Sequence, residues 1–321
     1  MKPKTLKLLV LIAFIVLLAC LPRVTNNYQQ YIINVVFVNF LVTLGLGIIL
    51  GYSGQFAFAS AGFLGIGAYA VGLSMVHFGL SYWLALVMAI FVSFIFAVFL
   101  SFIGLRLTRY YLSISTIAFT LAIRFFYANA GAITFGPSGF NIPSPKLFGF
   151  QFNTDHRTYY IVLVIVLACS VLSWNILRSK IGRAFVAIRD KEDAAAAAAI
   201  PVKQYKMLAF VIMGLLGGIA GGLYCVVLGQ ITSDEFGMGP LLLHFLIVVL
   251  GGLGSFFGLI ISSVIVTLLP ELLRAFAEWQ EVLYGGIIIV MILFAPEGLY
   301  GILQRYSPIK WREKMYGDVE G

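Results

Sequence analysis

Ser179–Lys206, with the sequence SKIGRAFVAIRDKEDAAAAAAIPVKQYK, is a long and strongly charged segment that lies between two long apolar stretches of the chain. In membrane proteins, lysine and arginine concentrate in the loops that face the cytoplasm. The charge of this segment therefore predicts a cytoplasmic loop, whose bounds we place at residues 178–206.

The middle of this loop is predicted to be helical. Six consecutive alanines follow Asp193, and alanine has the highest helix propensity. We predict that Asp190 caps the helix and that the carboxylates of Glu192 and Asp193 favour its positive N-terminal end. Pro201 limits its continuation. The expected result is a short helix near Asp190–Ala199, whose smooth alanine face suits docking into a groove of another protein.

The composition of the chain excludes a soluble fold. Of the 321 residues, 61% are hydrophobic and only 11% are charged, and a soluble domain of this size cannot hide that much apolar surface. Apolar runs of about 20 residues recur from end to end, which is typical of a polytopic membrane protein. Because these runs are continuous rather than alternating, we predict an all-α bundle rather than a barrel, formed by residues 1–321 as a single transmembrane domain.

About ten membrane spans are predicted, at 6–21, 31–50, 56–78, 82–103, 111–128, 158–177, 206–228, 237–256, 257–276 and 281–296. If the N-terminus is cytoplasmic, 16 of the 21 lysines and arginines fall in cytoplasmic segments. This bias predicts a multi-pass protein of the cell (inner) membrane with both termini in the cytoplasm. The segment 1–21 lacks a clean small-x-small cleavage site, so we take it as the first span rather than a signal peptide.

Several other classes of function find no support in the sequence. The net charge of +8 does not indicate a nucleic-acid partner, because the basic residues lie at span ends, where topology and lipid headgroups account for them. Cys20, Cys169 and Cys225 lie in apolar spans, and neither they nor the three histidines have the spacing of metal ligands. We predict no metal or cofactor.

The chain also contains no Gly-Lys pair and therefore no Walker A phosphate loop. If ATP hydrolysis powers any activity of this chain, the ATPase must be another polypeptide, and we predict no enzymatic activity for the chain itself.

Two glycine-rich sequences interrupt apolar stretches. They are Gly51-Tyr-Ser-Gly-Gln55 and Gly251-Gly-Leu-Gly254. Such interruptions indicate discontinuous helices or tight packing of small residues. The dipeptide GQ recurs at Gly229-Gln230 in the second half of the chain, which is a weak sign of an internal repeat.

Segments from about residue 31 onward resemble the permeases of branched-chain amino acid ABC importers. They are GYSGQFAFASAGFLGIGAYA (51–70), YYLSISTIAFTLAIRF (110–125), GPSGFNIP (136–143), the charged loop extended to Phe210, and, in the final third, VVLGGLGSFFG, LLPELLR and APEGLYGI. Each glycine motif alone is weak, but their shared order is specific. The tail from Val249 is more similar to the LivM-type subunit of that family than to its LivH-type partner.

The resemblance implies that the charged loop couples the chain to an ATPase. The residues assigned to this coupling role are Gly182, Arg183, Ala184, Arg189, Glu192, Ala194, Ala195 and Ile200. The structural glycines that it implies are Gly51, Gly54, Gly136, Gly139, Gly251, Gly252 and Gly254. Two positions depart from the family pattern: Asp193 occupies a usually apolar position, and Ala199 replaces a usual glycine, which calls the sharp turn into question unless Pro201 supplies it. An ordinary basic loop that only sets topology remains the alternative.

Arg124 lies inside a predicted span, and a cation inside the membrane indicates a functional site. It would attract an amino-acid carboxylate, hold a neighbouring helix, or extend toward the outer interface. The acidic residue that often precedes it in the family is Leu121 here, which removes the expected partner. Further side chains that would line a polar pathway or hydrogen-bond between helices are Gln55, Ser60 and Thr116, together with Ser53 and Thr120.

Taken together, the resemblance implies a membrane-spanning subunit of an ATP-driven importer for branched-chain or other hydrophobic amino acids. Its partners would be a homologous second permease, two cytoplasmic ATPases, membrane lipid and an extracytoplasmic solute-binding protein that docks on the turn-rich loop Asn129–Thr158. One alternative is an importer of urea or short-chain amides. Another is an ion-coupled secondary transporter, which would need carboxylates inside spans.

Overall fold

The structure is a computed structural model. It describes residues 18, 21–23, 25–143, 146–147, 150–151, 155–272, 279–294, 298–299 and 301. The predicted first span, 6–21, lies almost wholly outside these residues, as do the ends of the last two predicted spans and the basic residues of both termini.

Helices dominate the described residues. They are α1 (Asn27–Gly47), which continues into a π-helical turn (Ile48–Tyr52), α2 (Ser60–Phe78), α3 (Tyr82–Gly104), α4 (Arg109–Asn129), the short α5 (Gly131–Thr134), α6 (Asp155–Arg178), α7 (Lys180–Asp190), α8 (Glu192–Ala197), α9 (Val202–Leu228), α10 (Met238–Gly251), α11 (Phe256–Leu272) and α12 (Gln280–Phe294). Short 3-10 turns lie at Leu21–Arg23, Gly136–Ser138 and Ser233–Phe236.

Six of these helices are long and apolar enough to cross a membrane. They are Asn27–Tyr52, Ser60–Phe78, Tyr82–Gly104, Tyr110–Asn129, Arg157–Arg178 and Val202–Leu228. The shorter apolar helices are Met238–Gly251, Phe256–Glu271 and Gln280–Phe294. The structure thus has the helical, multi-pass character that the composition predicts, and the count of ten crossings stays a prediction.

The helices are discontinuous at both predicted interruptions. The predicted span 56–78 begins too early, because the segment from Gln55 to Ala59 is not helical and α2 starts at Ser60. The predicted spans 237–256 and 257–276 meet at the wrong point, because α10 ends at Gly251 and α11 starts only at Phe256. In each case the last helical turn ends where glycine places the chain in a conformation that a helix cannot continue.

The core lies around α9, which packs against α1, α2 and α3. Glycines on α9 allow close approach to α2, because a methyl group at Gly67 would collide with the Gly218 carbonyl and one at Gly221 would collide with the Leu64 carbonyl. Without a hydrophobic driving force between helices in lipid, such small residues permit the close van der Waals packing that joins them.

Four short strands lie beside the helices. β1 (Phe140–Asn141) pairs antiparallel with β4 (Gln230–Ile231), so the loop after α4 is joined to the segment after α9. β2 (Lys146–Leu147) pairs with β3 (Phe150–Gln151). The loop that was predicted to be turn-rich therefore contains backbone-paired structure, and it lies at the end of the bundle opposite the charged loop.

Candidate functional site at the junction of the charged loop and two helix breaks

The charged loop contains two helices rather than one. α7 extends from Lys180 to Asp190, and the Ser179 side chain caps it by accepting a hydrogen bond from the Ile181 amide at 3.1 Å. Its apolar residues recur at helical spacing and bury one face, which includes Phe185 and Ile188. A methyl group at Gly182 would collide with the Leu177 backbone, so glycine is needed where α6 turns into α7.

The predicted capping by Asp190 is wrong. Asp190 is the last residue of α7, and its carboxylate pairs with the Arg189 guanidinium at 3.1 Å. The extended residue Lys191 precedes α8 instead, and it makes no side-chain capping bond. The reason is that the buried face of α7 continues helical periodicity up to Asp190, which fixes that residue in a helix and moves the start of α8 to Glu192.

The sharp turn at the end of α8 is made by Ala199 itself, although this residue is not glycine. Ala199 has a φ of 61°. The Ile200 amide donates to the Ala195 carbonyl at 3.1 Å, and the Ala199 amide donates to the Ala196 carbonyl at 3.0 Å. These are the paired bonds of a Schellman motif. The substitution of alanine for the usual glycine therefore changes the energy of the turn and not its shape.

Seven of the eight predicted coupling residues, all except Arg189, divide into two groups. The first group is buried within the chain: Gly182, Ala184 and Ala195, with Ile200 half-buried. The second group is exposed: Arg183, Glu192 and Ala194, beside the exposed alanines that follow Ala195. The exposed face of α8 is thus smooth and small, and Lys206 anchors it through an ion pair of 2.6 Å with Glu192.

Arg189 joins the charged loop to the first helix break. Its Nη1 donates a hydrogen bond of 2.7 Å to the Gly51 carbonyl at the end of the π-helical turn. A cation is favourable at a helix C-terminus, where carbonyls lack helical partners. Gly54 has a φ of 67°, and a Cβ there would lie 2.7 Å from Arg189 Cγ. Arg189 therefore faces the membrane helices, whereas most of α8 remains exposed.

The second helix break meets the first at the same place. A methyl group at Gly51 would collide with the Gly254 backbone nitrogen. A Cβ at Gly254, which has a φ of 85°, would lie 3.6 Å from Arg189 Nη1. The charged loop, the break after α1 and the break between α10 and α11 thus converge, and we call Gly51, Gly54, Arg189 and Gly254 the junction.

The seven predicted structural glycines all lie at constrained positions. Five of them have a positive φ: Gly54, Gly136, Gly139, Gly252 and Gly254. The other two make close backbone approaches, Gly51 to Gly254 and Gly251 to Gly258. Gly298, which was not singled out by the sequence, also packs tightly, since a Cβ there would collide with the Gly252 nitrogen.

Most of the side chains predicted to line a polar pathway or to hydrogen-bond between helices make hydrogen bonds within or to the extended linker between α1 and α2, and their place in a pathway stays a prediction. Gln55 Nε2 donates to Ser53 Oγ at 2.7 Å and to the Lys206 carbonyl at 3.2 Å. Thr116 Oγ1 accepts from the Phe58 amide at 2.8 Å. Only Ser60 lies elsewhere, with its Oγ 3.3 Å from His244 Nδ1. Because the linker has no helical hydrogen bonds, these polar groups satisfy its backbone inside the protein.

Arg124 has a partner that the sequence analysis missed. Its Nη2 lies 2.7 Å from Asp234 Oδ1, and the two side chains are 43% and 78% exposed. Gly237 packs against the Arg124 side chain. Leu121 removes the partner that the family pattern would supply, and a carboxylate from the turn between α9 and α10 takes its place. A contact across 110 residues has no local signal in the sequence.

Beside this ion pair, Glu235 is largely buried, and its Oε1 lies 3.4 Å from Thr232 Oγ1. Burial raises the pKa of Glu235 to about 7, which the hydrogen bond from Thr232 offsets only in part. The same segment places Phe236 against the rings of Tyr69 and Tyr127, which stack with centroids 3.7 Å apart. The turn between α9 and α10 is therefore firmly packed.

No metal cluster is present among the described residues. Long apolar helices, two helix breaks and a charged loop that contacts both of them together define a multi-pass membrane permease. The pattern of the family described as "Branched-chain amino acid transport system / permease component" matches residues 29–295, and the chain belongs to this family.

Individual relatives agree with this assignment. The chain is 30% identical over 315 residues to the high-affinity branched-chain amino acid transport system permease protein LivM of Salmonella typhimurium, covering 91% of this chain and 74% of the relative. LivM of Escherichia coli K12 shows the same identity and coverage. LivH of Escherichia coli K12 is 27% identical over 176 residues, covering 50% of this chain and 56% of LivH. No solved structure matches the chain.

Proposed function

We propose that this chain is a membrane-spanning subunit of an ATP-driven importer for branched-chain and other hydrophobic amino acids. The observation that supports this proposal most directly is the junction, where Arg189 donates a hydrogen bond to the Gly51 carbonyl. A displacement of the charged loop would be transmitted to both helix breaks through this hydrogen bond. The relatives named LivM and LivH are described as permeases of branched-chain amino acid transport, which supports the choice of substrate.

The mechanism that we propose is alternating access. ATP binding closes two cytoplasmic ATPases, which are separate polypeptides, and the exposed face of α8 moves with them. Arg189 carries this displacement to the ends of α1 and α10, and the pathway between this chain and a homologous second permease changes side. The proposed topology has ten crossings with both termini in the cytoplasm, so that an external solute-binding protein docks near the loop between α4 and α6.

The experiment that tests the docking surface compares two substitutions one residue apart. Ala194 is exposed on α8, whereas Ala195 is buried. Ala194→Trp should block co-purification of the ATPase and abolish uptake, with the loop still folded because the new ring faces solvent. Ala195→Trp should instead disturb the loop itself and lower the amount of protein. ATPase binding that tolerates Ala194→Trp would contradict this assignment.

The substrate is tested separately by uptake into proteoliposomes. We expect ATP-dependent uptake of leucine that depends on the binding protein. One observation favours the alternative of a neutral substrate such as urea: Arg124 pairs with Asp234 at 2.7 Å, so part of its charge is already compensated and its attraction for a substrate carboxylate is weaker. Uptake of urea without leucine would therefore replace the proposed substrate. Uptake driven by an ion gradient without ATP would refute the importer class.

A further inference from the structure

A cavity of about 550 Å³ lies at the end of the bundle opposite the junction. Its walls come from the first half of α1, the start of α10, the end of α11 and the start of α12. α1 begins at this cavity, and the π-helical turn that continues it contains Gly51, so cavity and junction lie at opposite ends of this helical segment. Glu271 and Glu281 at its rim are exposed, and charged groups of this kind are stable only where water reaches them. The cavity therefore opens to water.

The cavity has the electrostatic character of a site for a cation. Glu235, Glu271 and Glu281 line it, and among the lining residues that the structure describes there is no lysine or arginine. Four tyrosines also line it: Tyr28, Tyr31, Tyr224 and Tyr284. Carboxylates attract an ammonium group, and aromatic rings hold it by cation–π interaction. A ligand that is only an anion would be repelled.

One polar group at this cavity has no hydrogen-bond partner among the described residues. Glu235 Oε2 is buried, and no described residue donates a hydrogen bond to it. His244 lines the same cavity, is only 1% exposed, and has its Nδ1 3.3 Å from Ser60 Oγ. Buried polar groups are normally satisfied. The unsatisfied carboxylate oxygen of Glu235 therefore indicates a position where a donor group of a ligand would bind.

The inner wall of the cavity adds an apolar requirement. Ile32, Val35 and Leu243 line it beside a hydrogen bond of 3.0 Å from Asn39 Nδ2 to Thr267 Oγ1. An apolar side chain of the ligand would gain about 0.8 kcal/mol for each CH₂ that it buries there. The ligand that fits both parts of the cavity combines an ammonium group with a compact apolar group.

We propose that this cavity is a binding site for one free hydrophobic amino acid, with its ammonium group among Glu235, Glu281 and the tyrosines and its side chain against Val35 and Leu243. The choice of an amino acid among ammonium-bearing apolar ligands rests on the proposed function. If the chain has the proposed function, the cavity is a substrate-binding site within a single permease chain, on the side of the membrane from which the substrate enters.

The test is binding to the full chain, purified in lipid nanodiscs without ATP and measured by isothermal titration calorimetry. Three probes separate the groups of the ligand: L-leucine, isoamylamine, which lacks the carboxylate, and 4-methylpentanoate, which lacks the ammonium. We expect leucine and isoamylamine to bind and 4-methylpentanoate not to bind. Binding of 4-methylpentanoate alone, or of none of the three, overturns the proposal.

Substitutions of lining residues test whether the ligand binds in this cavity. Leu243→Trp fills the cavity and should abolish leucine binding, whereas the control Ile289→Trp alters the 61% exposed side chain of α12 and should leave binding unchanged. Glu281→Gln keeps the shape of an exposed residue at the rim, so the variant protein should fold normally. Its binding affinity for leucine and for isoamylamine should be about tenfold lower. Unchanged affinity in both Leu243→Trp and Glu281→Gln would show that the ligand binds elsewhere.

The outcome is distinguishable from failure of the proposed function. If leucine is imported but the cavity substitutions do not alter its binding, the importer assignment stands and the cavity proposal fails. If no leucine import occurs and isoamylamine binding still depends on Leu243 and Glu281, the cavity binds amines and the importer assignment fails.

Discussion

Removal of the Arg189 guanidinium should disconnect ATP hydrolysis from transport. Arg189 donates to the Gly51 carbonyl at 2.7 Å, and its side chain is 32% exposed. Hydrogen bonds from charged groups contribute roughly 1.5–3 kcal/mol, and partial exposure places this one near the lower value. A loss of about 1.5 kcal/mol corresponds to about a tenfold shift in the equilibrium between a connected and a disconnected junction.

The assay is the ratio of leucine taken up to ATP hydrolysed by the reconstituted complex. Arg189→Ala should lower this ratio about tenfold while ATP hydrolysis continues, because the exposed face of α8 is unchanged. Arg189→Lys should give a ratio of uptake to hydrolysis between that of the wild type and that of Arg189→Ala, since an ammonium group donates a single hydrogen bond to the same carbonyl. Lys180→Ala, which removes an exposed cation on the same helix that has no assigned coupling role, is the matched control and should behave like the wild type.

The reasoning would be refuted if Arg189→Ala kept the wild-type ratio with equal amounts of assembled complex. A fall in the amount of complex without a change in the ratio would also refute it, because it would assign Arg189 to assembly rather than to coupling. Gly54→Ala offers an independent approach to the same contact, since its Cβ would displace the Arg189 side chain.

Four further predictions follow from particular contacts. Arg124→Met and Asp234→Asn should each lower the amount of complex in the membrane modestly and equally, because a largely exposed ion pair contributes only about 0–1 kcal/mol. Uptake per complex should not change in either variant. A loss of uptake per complex in Arg124→Met alone would show that Arg124 has a direct role in transport. Ala199→Gly should raise the free energy of unfolding by about 1 kcal/mol in thermal denaturation, because glycine tolerates the positive φ of this turn, and an unchanged midpoint would contradict this. The raised pKa of Glu235 means that its ionisation costs stability, so the thermal midpoint should fall as pH rises from about 4.5 to about 7, and Glu235→Gln should flatten that part of the profile. Cysteine labelling should report the cytoplasmic side at Thr108, Asp190 and Met315 and the outer side at Asn26, Pro145 and Asp234, and one reversed site would break the topology.

The sequence was sufficient for features that depend on local composition. Apolar runs predict helices in lipid because no other open structure satisfies the backbone there, and nine of the ten predicted spans overlap helices of the described residues. Glycine patterns marked both interruptions, because few other residues permit those backbone angles or those close approaches. The order of the motifs identified the family before any geometry was known.

Features that depend on contacts between distant segments needed the tertiary structure. The charge of Arg189 was visible in the sequence, but its direction was not, and it faces Gly51 rather than an external partner. Asp234 could not be matched to Arg124, nor Glu235 and His244 to one cavity, because periodicity carries no information about which helices become neighbours. The boundary between α7 and α8 was mispredicted for a related reason: burial of Phe185 and Ile188 against the rest of the bundle outweighed the local capping preference of Asp190. Local propensity thus determined which segments are helical, whereas packing determined where those helices end and which charges meet.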